Sequence, residues 1–180
     1  DIDGDRLGVG SYLDDDGATD SGSVYVFERN AGVWTETVKL TAADPGAVDR
    51  LGFSVAISDH RIIAGAYLDD NENGVDAGSA YLFEWDGVAW NQSKFIASHP
   101  TLTAGYAGDN FGVRVAINGD TFVVGAHLAE GRLGISEGLA YVITWSGSQW
   151  IQSDLSALTG ASSDMFARGV AIDGSTLLVG

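Results

Sequence analysis

The chain has 180 residues, of which 25 are Asp or Glu against 9 Lys or Arg, a formal net charge of −16. So acidic a surface repels phosphate backbones and anionic headgroups, which sets nucleic-acid binding and membrane docking aside, and no apolar run approaches the roughly 18 residues of a spanning helix. Cysteine is absent, which removes disulfide scaffolds and thiolate chemistry, while a hydrophobic content of 45% is too high for a disordered acidic tail.

From Ile2 the chain reads IDGDRLGVGSYLDD, and the same unit returns with a longer front. It is DRLGFSVAISDHRIIAGAYLDD from Asp49, DNFGVRVAINGDTFVVGAHLAE from Asp109 and DMFARGVAIDGSTLLVG from Asp164. A second block repeats in phase as GSVYVFERNAGVW, GSAYLFEWDGVAW and GLAYVITWSGSQW, closing on Trp34, Trp90 and Trp150. Ile2, Ile57, Ile117 and Ile172 mark periods of about 55 to 60 residues, approximately 2–56, 57–116 and 117–171 plus the start of a fourth. The whole chain, 1–180, therefore reads as a single domain without a linker.

Each period predicts four strands. In the second they cover 51–57, 61–67, 79–85 and 90–96, and in the third 111–117, 121–127, 139–145 and 150–156. The first two are joined by Ser58-Asp59, Asn118-Gly119 or Asp173-Gly174, hairpin pairs that tolerate positive φ. No window holds a 3.6-residue apolar period, so almost no helix is expected. The inner strands VAI, FVVGA and TLLVG are nearly continuously apolar, which suits sheets covered on both faces. The expected fold is all-β, a β-propeller segment of four-stranded antiparallel blades, about three blade equivalents, cut within a repeat at both ends. The opening is expected to lack the first strand of its blade and the end its third and fourth strands, and Gly180 falls mid-strand at the position of Gly10, Gly65 and Gly125. The expectation is a piece of a longer propeller, or a fragment that closes as a homo-oligomer.

Acidic residues concentrate after the second strand, as LDDDGATDSG and then LDDNENGVDAG. Asp69, Asn71, Asn73 and Gly74 fit D-x-[DN]-x-[DN]-G, whose alternate side-chain oxygens can surround a hard cation while the glycine turns sharply. Asp76 could add a carboxylate, and Asp14, Asp16 and Asp20 offer a shorter version in the first period. For these two loops the readings are bound Ca²⁺ or a solvated acidic loop rich in turn formers. The third, LAEGRLGISEG, has lost the pattern and reads as solvated.

Asp49, Asp109 and Asp164 precede the three first strands in phase, where a carboxylate can cap local backbone N–H groups. Tyr25, Tyr81 and Tyr141 read as packing between blades. Trp85 and Trp145 read as packing at the blade rim or, alternatively, as stacking platforms for a sugar ring. His60, His99 and His127 fall at unrelated phases, and no nucleophile elbow, metalloprotease helix or phosphate loop is present. No catalytic residue is nominated and the chain is not expected to be an enzyme.

Leu51-Gly52 and Phe111-Gly112, followed roughly a dozen residues later by Ala64-Gly65-Ala66 and Val124-Gly125-Ala126, resemble the FG-GAP repeat of integrin α-subunit propellers and bacterial surface proteins. The family's final Pro is Tyr12, Tyr67 or His127 here, and the last repeat carries Phe166-Ala167. The resemblance implies an extracellular or cell-surface module for adhesion, recognition or structure, with a protein or polysaccharide ligand and calcium stiffening loops on one face. The family's calcium loop lies between the first two strands, here a short hairpin, so its ligands do not carry over by position. The rivals are a lectin-like propeller using Trp85 and Trp145, and an accessory propeller of a larger secreted enzyme.

Overall fold

The computed structural model describes residues 1–98, 106–130, 136–157, 161 and 163–180, and among them every regular element is a strand. The first sheet comprises β1 (Ile2–Asp3), β2 (Arg6–Ser11), β3 (Ser23–Asn30) and β4 (Val33–Leu40). The second comprises β5 (Ser54–Ser58), β6 (Arg61–Ala66), β7 (Ser79–Trp85) and β8 (Trp90–Ile96). The third comprises β9 (Arg114–Asn118), β10 (Thr121–Ala126), β11 (Leu139–Trp145) and β12 (Trp150–Leu155), and β13 (Val170–Asp173) with β14 (Thr176–Val179) forms a two-stranded fourth. Strands pair antiparallel in simple chain order within each sheet. Among the described residues no helix is long and apolar enough to cross a membrane.

The predicted hairpins are present, with Asp59, Gly119 and Gly174 at φ of 52°, 55° and 53°. Two strand starts differ. β5 and β9 begin three residues later than expected because Leu51-Gly52-Phe53 and Phe111-Gly112-Val113 are turns. In them the Phe53 amide donates to the Arg50 carbonyl and the Val113 amide to that of Asn110, both at 3.1 Å. The opening sheet also has a first strand, the two-residue β1, whose Ile2 pairs with Leu7.

Two-residue alternation explains the apolar runs. Ile62, Ala64 and Ala66 of β6, with Tyr81 and Phe83 of β7, pack against Val24, Val26 and Leu40 of the first sheet. Ile63 of β6, with Ala80 and Leu82 of β7, packs against Phe122, Val124 and Tyr141 of the third. Both faces of the middle sheet are core, as in a propeller blade with a neighbour on either side. The first strands stand side by side at the inner edge. There the Asp3 carboxylate accepts the Asp59 amide at 2.6 Å, and Ser54 and Ser58 hydroxyls accept the Val115 and Gly119 amides at 3.1 and 3.0 Å.

The junctions repeat too. Leu51, Phe111 and Phe166 each donate an amide hydrogen bond of 2.9 Å to a carbonyl of the preceding sheet, at Ser21, Ala77 and Glu137. Leu51 and Phe111 are fully buried there, and a side chain of that size stabilises by about 2 kcal/mol. At the opposite ends Arg6 donates to the Asp59 carbonyl at 2.9 Å and lies over Trp90 of the next sheet. Arg61 likewise donates to the Asp120 carboxylate at 2.6 Å and lies over Trp150.

Candidate functional site

The loops following β2 and β6 fold back over the third and fourth strands of their own sheets. Strand register sets Tyr25 opposite Lys39 and Tyr81 opposite Lys94, and each ammonium lies over its tyrosine ring, at 5.1 and 5.4 Å from the centroid. Lys39 donates to Asp14 at 2.8 Å and to Asp16, while the Tyr25 hydroxyl donates to Asp14 at 3.0 Å. Lys94 forms ion pairs of 2.7 Å with both Asp44 and Asp69, and the Tyr81 hydroxyl donates to Asp44 at 2.9 Å. The hydrogen bonds to Asp14 and Asp16 hold the Lys39 pKa well above its ordinary value. Burial works against the Lys94 ammonium, but its bonds to Asp44 and Asp69 outweigh that and raise its pKa. The bond from Lys39 holds Asp14 below the ordinary carboxyl range.

Of the proposed calcium ligands, then, Asp14 and Asp16 converge on Lys39, and Asp69 converges with Asp44 on Lys94. The others do not join them. Asp20 sits at φ 53° with its amide bonded to the Asp15 carboxylate at 2.8 Å. Asn71 donates its side-chain amide to the Gly78 carbonyl at 2.9 Å and accepts the Asn73 amide on its oxygen. Asn73 donates to the Ala97 carbonyl at 2.7 Å, and the Asp76 amide donates to Asp70 at 2.8 Å. The asparagines tie the loop to its own backbone, and an ammonium occupies the point where the carboxylates meet. This donor set does not fit a calcium ion, which needs six to eight oxygens around one centre. Among the described residues no three His, Asp or Glu side chains are grouped to hold a metal.

Sequence reasoning missed Lys39, Lys94 and Asp44. The available signal was that the chain's two lysines fall at matching phases, five residues after Trp34 and four after Trp90. The extra residue is absorbed by an irregularity between Val26 and Phe27 in the β3–β4 pairing. In the third sheet Ala129 replaces Asp69, and Asp154 replaces Lys94 opposite Tyr141. The buried Tyr141 hydroxyl has no hydrogen-bond partner, and burial, with the charge of Asp109 next, pushes its pKa up.

The three aspartates before the first strands split. Asp49 accepts the Gly46 amide at 2.6 Å and Asp164 the Ala161 amide at 2.7 Å. Burial pushes Asp49 up to about 6 and Asp109, repelled also by Glu130, up to about 7. Trp85 and Trp145 stand opposite Trp90 and Trp150, with ring centroids 5.7 and 5.3 Å apart. Trp85 also borders a groove of about 310 Å³ between the first two sheets, shared with Arg6, Glu28, Thr37 and Trp90. His60 bonds Asp59 at 2.9 Å, His127 is half-buried, and His99 lies outside the described residues.

Among curated proteins nothing matches the chain. The FG-GAP repeat matches it three times, over residues 1–27, 34–83 and 91–143. The two longer stretches run from β4 into β7 and from β8 into β11, so each holds a complete junction between sheets. With most of its length matched in phase with its four-stranded sheets, this chain belongs to the FG-GAP repeat family, and its sheets are propeller blades.

Proposed function

We propose that the chain is a non-catalytic recognition or adhesion module that works outside the cell or at its surface. The observation that carries this reading is the pinning of successive loops on one rim of the blades, by Lys39 on Asp14 and Lys94 on Asp69. A fixed loop surface binds with less ordering cost than a mobile one. In this proposal lysine ammonium groups brace the loops where the sequence had suggested calcium. The partner is a protein or polysaccharide of the cell surface. Surfaces coated with the folded chain should retain cells above a heat-unfolded control. No attachment, or substrate turnover by the chain, would overturn the proposal.

The groove beside Trp85 favours a second, lectin-like reading, because an aromatic face flanked by Arg6, Glu28 and Thr37 supplies both stacking and hydrogen bonds to a sugar. A glycan array compared with Trp85→Ala tests it. We also propose that the outer face of β13–β14, where Leu178 is 67% exposed, is covered by further propeller or a second copy. Light scattering checks this, since a stable monomer would contradict it.

A further inference from the structure

Among the described residues, five cations pair with carboxylates: Arg6 with Glu28, Arg29 with Asp5, Lys39 with Asp14, Arg61 with Glu84 and Lys94 with Asp69. Arg50, Arg114 and Arg168 are each half-buried or exposed, and among the described residues, which include every Asp and Glu, none of the three forms such a pair. In a chain of net charge −16 that separation is selective. They fall at three different phases of the repeat, but all at the entry to a first strand: Arg50 in the turn into β5, Arg114 at the first residue of β9 and Arg168 in the turn into β13. Since β5, β9 and β13 are first strands at the inner edge, the three arginines share the inner rim, at the opposite end from Arg6 and Arg61.

Contacts link Arg50 and Arg114 through aromatic rings. Arg50 donates to the Tyr67 hydroxyl at 2.6 Å, and Tyr67 packs on Phe53 at 4.4 Å between centroids. Phe53 meets Tyr12 at 5.4 Å and carries the Arg114 guanidinium at 5.5 Å. His127 adjoins this group, and its pKa is lowered by burial and then by the charges of Arg168 and Arg114. Two buried nitrogens, Arg50 Nε and His127 Nδ1, have no hydrogen-bond partner. Apart from the Tyr67 bond, the guanidinium bonds seen here go to the Val113 carbonyl from Arg114 and the Met165 sulfur from Arg168. Each guanidinium has five N–H donors, and the buried Arg50 Nε is an unmet one, which is costly in a sheltered site.

We infer that this rim docks a carboxylate presented by a partner protein, an Asp or Glu side chain received by Arg114 and Arg168, with Tyr12, Phe53 and Tyr67 against its apolar neighbours. The inference rests on the recognition reading above and names the chemistry of its partner. Charge selects a peptide over a polyanion, because beyond the rim the acidic surface repels every further negative group of a nucleic acid or sulfated glycan. Guanidinium–carboxylate bonds are charge-assisted and geometrically specific.

The test is NMR of the full chain labelled with ¹⁵N-arginine, titrated with N-acetyl-Gly-Asp-Gly-amide and with its Asn counterpart. The Asp peptide should move the Nε–H signals of Arg114 and Arg168, and leave those of Arg29 and Arg61 in place. A dissociation constant of about 1–10 mM, weakened about tenfold in Arg114→Gln, is the expected scale. The exposed Arg168→Gln gives a second variant, and the parent titration needs neither. Equal shifts with the Asn peptide, shifts centred on the ion-paired arginines, or none up to about 50 mM would overturn the inference. So would a heparin hexasaccharide that moves the same signals at lower concentration. Cell attachment unchanged in both variants would overturn the rim assignment while the recognition reading stands.

Discussion

Gly65 of β6 lies so close to Gly112 of the next blade that a β-carbon on Gly65 would overlap the Gly112 carbonyl oxygen. Gly10 stands in the same relation to Gly52 one junction earlier. The contact explains why a glycine recurs within an otherwise apolar strand: two backbones cross there with no room for a side chain. Gly65→Ala should lose about 3 kcal/mol or more in urea unfolding, since the obstacle is backbone. Gly87→Ala, in an open turn at φ 97°, should lose about 1 kcal/mol by conformation alone. Similar losses at the two sites would refute the steric account.

Lys94 is the counter-charge for Asp69, which is only 2% exposed. Lys94→Met leaves that carboxylate buried beside Asp44 with no cation. The expected loss is about 2–4 kcal/mol, less than for a wholly buried pair because Lys94 is partly solvated. Combining it with Asp69→Asn should recover at least half of the loss in denaturant titrations. A double variant as unstable as the single one would show that the ion pair is not what matters.

Calcium must displace an ammonium to reach these carboxylates. Calorimetry of the metal-stripped chain should therefore show no heat, and no change in melting temperature, at about 1 mM Ca²⁺. Stoichiometric heat would return the loops to a metal-binding role.

Asp109 supplies a pH dependence of defined sign. Its carboxyl, ordinarily near 3.8, is raised to about 7 in the folded chain. Between those values the folded state keeps a proton that the unfolded chain has released. Its contribution to stability is therefore complete below the lower value and declines as pH rises to the upper one. Asp109→Asn should melt above the parent at pH 8, with the gap closing towards pH 4. A constant difference across that range would exclude Asp109 as the titrating group.

The sheets were legible because their signals are local. Asn118-Gly119 marks a hairpin within two residues, and the Trp34, Trp90 and Trp150 series sets the period without any tertiary knowledge. The starts of β5 and β9 were not legible, because Leu51 and Phe111 look like strand residues yet bond across to Ser21 and Ala77. The loop site was half legible. Asp14 and Asp69 stood out as an acidic pattern, but their partners lie 25 residues away on β4 and on β8. Asp44, brought to Lys94 from another blade's linker 50 residues off, had no local signature at all.

Lys39 and Lys94 are the only lysines in the sequence, and both amines are engaged. Reagents that acylate primary amines act on the free base, which these ion pairs suppress. Modification of either side chain therefore requires its ion pairs to part, which releases the loop they pin, and the rate reports how often that happens. Lysine-directed cross-linking would sample opened loops rather than the resting surface of the blades. A slow, two-phase acylation, one phase for each loop, is the chemical trace that this economy of lysines leaves.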